Sequence, residues 1–96
     1  MDNSYYISLN IKTLPGFDSY ATYTVEQDKE KAIAIFGQLK GSPNLSDSTV
    51  LTMDLTEIND GILFPLEMLE CTFQDVIHNT KIITREIFKD LNFETD

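Results

Sequence analysis

Twice along the chain, alternating apolar and polar residues are followed by apolar residues at helical spacing. This ββα–ββα rhythm constrains the fold more than any single motif. In YYISLNIKT, Ile7, Leu9 and Ile11 alternate with Ser8, Asn10 and Lys12, the period of a strand with one buried face. LPGFD supplies a turn and SYATYTV a second strand. A three- or five-residue loop sets Ile11 against Ala21, Leu9 against Tyr23 and Ile7 against Val25, so apolar partners share a face. A two-residue Pro-Gly loop puts Leu9 opposite Thr22, on the wrong face, so the odd-length loop is expected. In QDKEKAIAIFGQLK, Ala32, Ile35, Phe36 and Leu39 trace one helix face. Asp28 and Glu30 suit the first turn, Lys40 the last, and Gly41 the position just past the end.

The second half repeats the pattern with stronger punctuation. In TMDLTEINDGILFPLEML, Asp60-Gly61 reads as a two-residue type I′ turn. Leu55 then faces Leu66, Met53 faces Met68, Glu57 faces Phe64 and Asp54 faces Glu67. Pro65 falls opposite Thr56 in a non-hydrogen-bonded pair, its missing N–H pointing away from the third strand. The fourth strand is therefore expected at a sheet edge, blunted by that proline. The last element opens on Thr72 and Asp75, spaced as a capping box. Phe73, Val76, Ile77, Thr80, Ile83, Ile87 and Leu91 then follow one face of a helix of about five turns. The expected class is α+β: a ββαββα chain forming one domain over residues 1–96. Its four-stranded antiparallel sheet takes the order 2-1-3-4, with two helices packed on one face. A mixed 1-2-3-4 order is the alternative.

Charge narrows the partners. The 96-residue chain carries a net charge of −9. Gly41 to Cys71 holds Asp47, Asp54, Glu57, Asp60, Glu67 and Glu70 with no lysine or arginine. A field of that sign repels phosphate backbones and anionic membranes, so neither nucleic acid nor membrane is expected as a partner. No apolar run approaches the roughly 20 residues of a membrane span, and MDNSYYISLN lacks the basic and apolar segments of a leader. A cytoplasmic protein is expected.

Chemistry-bearing residues are sparse. Cys71 is the one cysteine, which excludes an internal disulfide and fits a packed, inert thiol. His78 is the one histidine, too few for a zinc site. The four glycines are isolated, so no loop cradles phosphate, and no Gly-x-Ser-x-Gly elbow is present. Asp54 facing Glu67 could hold a hard cation, but two carboxylates splayed into water at an edge is the expected arrangement. No catalytic, cofactor or metal residues are assigned.

The sheet face away from the helices is more informative. It is expected to carry Tyr6, Ser8, Asn10 and Lys12, then Tyr20, Thr22 and Thr24. The second hairpin adds Val50, Thr52, Asp54, Thr56, Ile58, Leu63, Pro65, Glu67, Leu69 and Cys71. Tyrosines and aliphatics among polar residues suggest a contact surface, with Tyr6, Tyr20, Asp54, Ile58, Leu63, Glu67 and Leu69 as its anchors. The function expected is a small acidic, non-catalytic protein-interaction module whose partner is a protein, either a different chain or a second copy in a homodimer. One alternative is an acidic inhibitor or immunity-type protein neutralising a basic partner. Another is a small ligand-binding protein or enzyme with a helix–sheet cavity around Glu57 or Cys71.

Overall fold

The computed structural model describes residues 3–25 and 28–90. Their elements run β1 (Ser4–Thr13), β2 (Gly16–Thr24), α1 (Lys29–Phe36), β3 (Leu51–Asn59), β4 (Ile62–Cys71) and α2 (Phe73–Asp90). The strands form one sheet in the order β2-β1-β3-β4, antiparallel at every pairing. α1 packs on β1 and β3, and α2 packs on β4 and α1. Tyr5, Ile7, Met53 and Leu55 from the inner strands meet Ala32, Ile35 and Phe36 of α1 and Ile83 of α2 in the core.

Local chemistry explains the elements that match expectation. Asp60 and Gly61 both take positive φ, 55° and 79°, as a type I′ turn requires, and they join Asn59 to its partner Ile62. Pro65 lies opposite Thr56 on the edge strand. The capping box closes α2 reciprocally: Thr72 N–H donates to Asp75 Oδ2 and Asp75 N–H donates to Thr72 Oγ1, each at 3.0 Å. Asp28 caps α1, accepting from the N–H groups of Glu30 and Lys31.

Two bulges change the registers. The β1–β2 loop is the two-residue Leu14-Pro15, not an odd-length loop, because Thr13 pairs with Gly16. The ladder then jumps from Asn10–Ser19 to Leu9–Ala21, leaving Tyr20 as the extra residue. That bulge supplies the odd residue expected of the loop, but the partners differ from expectation: Ile7 meets Tyr23 rather than Val25, Leu9 meets Ala21 rather than Tyr23, and Ile11 meets Asp18 rather than Ala21. In the second hairpin the ladder jumps from Thr56–Pro65 to Leu55–Glu67, leaving Leu66 unpaired but still packed on the core. Beyond it Asp54 faces Met68 and Met53 faces Leu69, one residue away from the uninterrupted register.

The helices also differ in detail. α1 ends at Phe36 with Gly37 as its cap, four residues before the expected end. Gly41 does something else. A Cβ there would sit 2.8 Å from Glu70 O and 3.0 Å from Leu69 Cβ, so only glycine lets this loop lie against β4. Next to it, Ser42 N–H donates to Glu70 O at 2.8 Å and Glu70 N–H donates to Ser42 O at 2.6 Å. The loop is held by buried Thr49, while its Leu45 is exposed. On α2, Phe73 and Ile77 face solvent and buried Asn79 takes their place in the stripe between Val76 and Ile83. Leu91 lies outside the described residues.

Asn79 joins the two halves of the helical layer. Its Nδ2 donates to Lys40 O at 2.9 Å and its Oδ1 accepts from Lys40 N–H at 2.7 Å. One fully buried amide thus satisfies both backbone groups of a residue just past α1.

Candidate functional site: the open face of the sheet

Residues opposite one another across a ladder share a face, so the registers map the side of the sheet that the helices leave open. Its rows cross from β2 to β4. Nearest the Asp60-Gly61 turn lie Ser4, Ile58 and Leu63. Thr24, Tyr6, Thr56 and Pro65 follow, then Thr22, Ser8, Asp54 and Met68. Next come Ser19, Asn10, Thr52 and Glu70, and then Phe17 beside Lys12.

The face has a polar floor and apolar ends. On the inner strands Ser8, Thr52 and Thr56 are buried, their short side chains recessed among longer neighbours. Asn10 Nδ2 donates to Thr52 Oγ1 at 3.2 Å and lies 3.4 Å from Ser8 Oγ, linking β1 to β3 across the floor. At one end Ile58 pairs with Leu63, and Leu63 is 56% exposed. Phe17 is exposed along the β2 side, and Met68 along the β4 side.

Asp54 is the floor's electrostatic feature. Burial raises its pKa above the ordinary carboxylate value, and hydrogen bonding with Thr52 and Asn10 only partly offsets this. Its Oδ1 is buried without a hydrogen-bond partner among the described residues. That atom is under-satisfied and out of a partner's reach, but the residue as a whole is only part-buried, and a donor that met the carboxylate at its accessible side would gain a charge-assisted bond.

Four of the seven expected surface residues lie on these rows: Tyr6, Asp54, Ile58 and Leu63. Tyr20, the bulged residue, is exposed but has no place in the ladder rows. Two others are not on this face. Leu69 lies opposite Met53 and packs on the core, and Glu67 lies opposite Leu55 on the helix side of the exposed edge strand. The Leu66 bulge is the cause, since one inserted residue moves every following side chain to the other face. The Asp54–Glu67 pair therefore does not form. Met68, expected in the core, takes Glu67's place beside Asp54. Among the described residues no group of three His, Cys, Asp or Glu side chains is arranged to hold a metal.

The same bulge turns Cys71 to the core side, opposite Leu51. It is buried, with Sγ 3.5 Å from Lys40 O. Burial, then the charges of Asp75 and Asp54, push its thiol up to about 11, opposite to what a nucleophile needs. Glu57 is engaged too. Asn3 Nδ2 at 2.7 Å and Tyr5 Oη at 3.2 Å donate to its Oε2, and Lys29 Nζ stands 4.0 Å from Oε1. Both side chains that could mark a helix–sheet ligand site are thus occupied by the protein's own groups. No helix of the described residues is long and apolar enough to cross a membrane. Comparison with protein-family models, with curated proteins and with solved structures finds no match.

Proposed function

We propose that this chain is a small, non-catalytic, cytoplasmic protein-interaction module whose open sheet face receives a protein partner. The observation that carries the reading is the Ile58–Leu63 pair, exposed Leu63 beside part-buried Ile58, on a face otherwise floored by hydroxyls and an under-satisfied carboxylate. Covering a half-exposed leucine gains on the order of 1 kcal/mol, and a donor delivered to Asp54 adds orientation and selectivity. The partner is therefore apolar where it meets Ile58 and Leu63 and donor-bearing where it meets Asp54. The unpaired thiol of Cys71 fits a reducing compartment.

A second reading has its own supporting observation. The six acids and no bases between Gly41 and Cys71 suit neutralisation of a strongly basic protein. Salt separates the two. Contact through Ile58 and Leu63 weakens little as ionic strength rises, whereas charge neutralisation is lost.

The test compares wild-type and Leu63→Lys baits in a native lysate, after circular dichroism shows that both are folded alike. A protein recovered by wild type and lost with Leu63→Lys supports the open face as the contact. A partner that binds both baits equally overturns it.

A further inference from the structure

The two edges of the sheet are not equivalent. β4 is closed to further pairing along most of its length. Pro65 offers no N–H at an outward position, Leu66 bulges, and the outward groups of Glu70 are bonded to Ser42. β2 has one such device, the Tyr20 bulge, and beyond it the strand is regular. Val25 N–H donates to Tyr5 O, which fixes the alternation: Val25, Tyr23 and Ala21 bond inward to β1, and Thr22 and Thr24 turn their N–H and C=O groups outward. Among the described residues α1 packs mainly on β1 and β3, and α2 mainly on β4, so neither helix packs substantially on β2.

We propose that the outer edge of β2 pairs with the same edge of a second copy, joining two four-stranded sheets into one of eight strands. Centred on Tyr23, the pairing sets Thr22 of each copy against Thr24 of the other, the two residues with outward backbone groups. That register is self-complementary, as a two-fold contact must be. Charge selects this occupant. Ala21 to Val25 contains no charged residue in a chain of net charge −9, and the strand's one carboxylate, Asp18, lies beyond the bulge. Two copies can meet there without opposing carboxylates, whereas a two-fold pairing of β4 centred on Glu67 or on Glu70 would set that carboxylate against its own copy. The two-fold axis runs perpendicular to the sheet, so both helical layers lie on one side and the open faces join on the other. This contact stands on the sheet edges alone and does not depend on the open face receiving a partner.

The test is sedimentation of the purified chain from micromolar to millimolar concentration, paired with amide hydrogen exchange. The expected mass rises from 10.9 kDa towards twice that value. The Thr22 and Thr24 amides should exchange at least ~10-fold more slowly in the associated sample, because they become hydrogen-bonded only there. Thr22→Pro removes an outward N–H, as Pro65 does on β4, and should leave a folded monomer. Leu63→Lys should associate as wild type does. A single-chain mass at every concentration overturns the proposal. So does a dimer whose Thr22 and Thr24 amides exchange as in the monomer, or one that persists in folded Thr22→Pro. If Thr22→Pro does not fold, the wild-type exchange comparison decides alone.

Discussion

Replacing Asn79 with leucine should cost this small protein a large part of its stability. The side chain is fully buried and makes two short hydrogen bonds to the backbone of Lys40, at 2.7 and 2.9 Å. Leucine keeps the volume and discards both bonds. Each contributes about 1 kcal/mol net, and in this part-buried place Lys40 N–H loses its amide partner while Lys40 O keeps only the weak Cys71 thiol, which adds part of their desolvation, so the total is ~2–4 kcal/mol. For a domain of this size that corresponds to a fall in Tm of roughly 10–25 °C. Asn79→Asp should be worse at neutral pH, because it sets a carboxylate oxygen against Lys40 O where an N–H had donated. Urea unfolding followed by circular dichroism measures both variants, and an unchanged m-value would show that the denatured state is comparable. Loosening the Lys40 tether should also speed exchange at the Glu70 amide, which the adjoining Ser42 protects. A leucine variant within 0.5 kcal/mol of wild type, on the scale of an ordinary surface substitution, would refute this account of Asn79.

Three further predictions follow from the same geometry. Asp54 has a raised pKa from burial, so its protonated form favours the fold, and that contribution is complete below the unfolded value of about 3.9 and lost as pH rises through the folded value. Asp54→Asn should therefore be more stable than wild type at neutral pH and no more stable near pH 3, and an equal gap in thermal melts at both pH values would count against it. Gly41→Ala drives a Cβ to 2.8 Å from Glu70 O, which should cost ~1–3 kcal/mol and speed Glu70 exchange; a neutral urea midpoint would contradict the close approach. Cys71, with its thiol pushed up to about 11, should react with a thiol reagent at neutral pH at least ~100-fold more slowly in the native protein than in the unfolded chain, and comparable rates would show it to be accessible.

The fold was legible where one residue type has one strong local preference. Asp60-Gly61 tolerates the two positive φ angles, Thr72 and Asp75 cap each other, and Pro65 lacks the donor an inner strand would need. Those features set the second hairpin, the start of α2 and the edge position of β4, which both candidate orders allow; pairing the first strand with the third gave the 2-1-3-4 order that the sheet has. Bulges were not legible, because an inserted residue leaves composition and turn chemistry untouched. Leu66 alone moved Leu69 to the core, sent Glu67 to the helix side and brought Met68 to the open face. Tyr20 did the converse, supplying the odd residue assigned to the loop and keeping Leu9 on its expected face. Gly41 looked like a helix terminator because glycine serves both that role and close backbone approach. Asn79 carried a readable signal: it lies three residues after Val76 and four before Ile83, on the buried stripe, where a polar amide implies a buried hydrogen-bonding task.

The claim that the open face is the contact surface is tested most directly by side-chain footprinting of the protein bound to the partner that wild type recovers. Hydroxyl-radical labelling should fall at Leu63, Ile58 and Met68 on the open face and stay unchanged at Phe73 and Ile77, which α2 exposes on the opposite side of the molecule. Protection of Phe73 and Ile77 with Leu63 still fully labelled would contradict the account and move the contact to the helical layer.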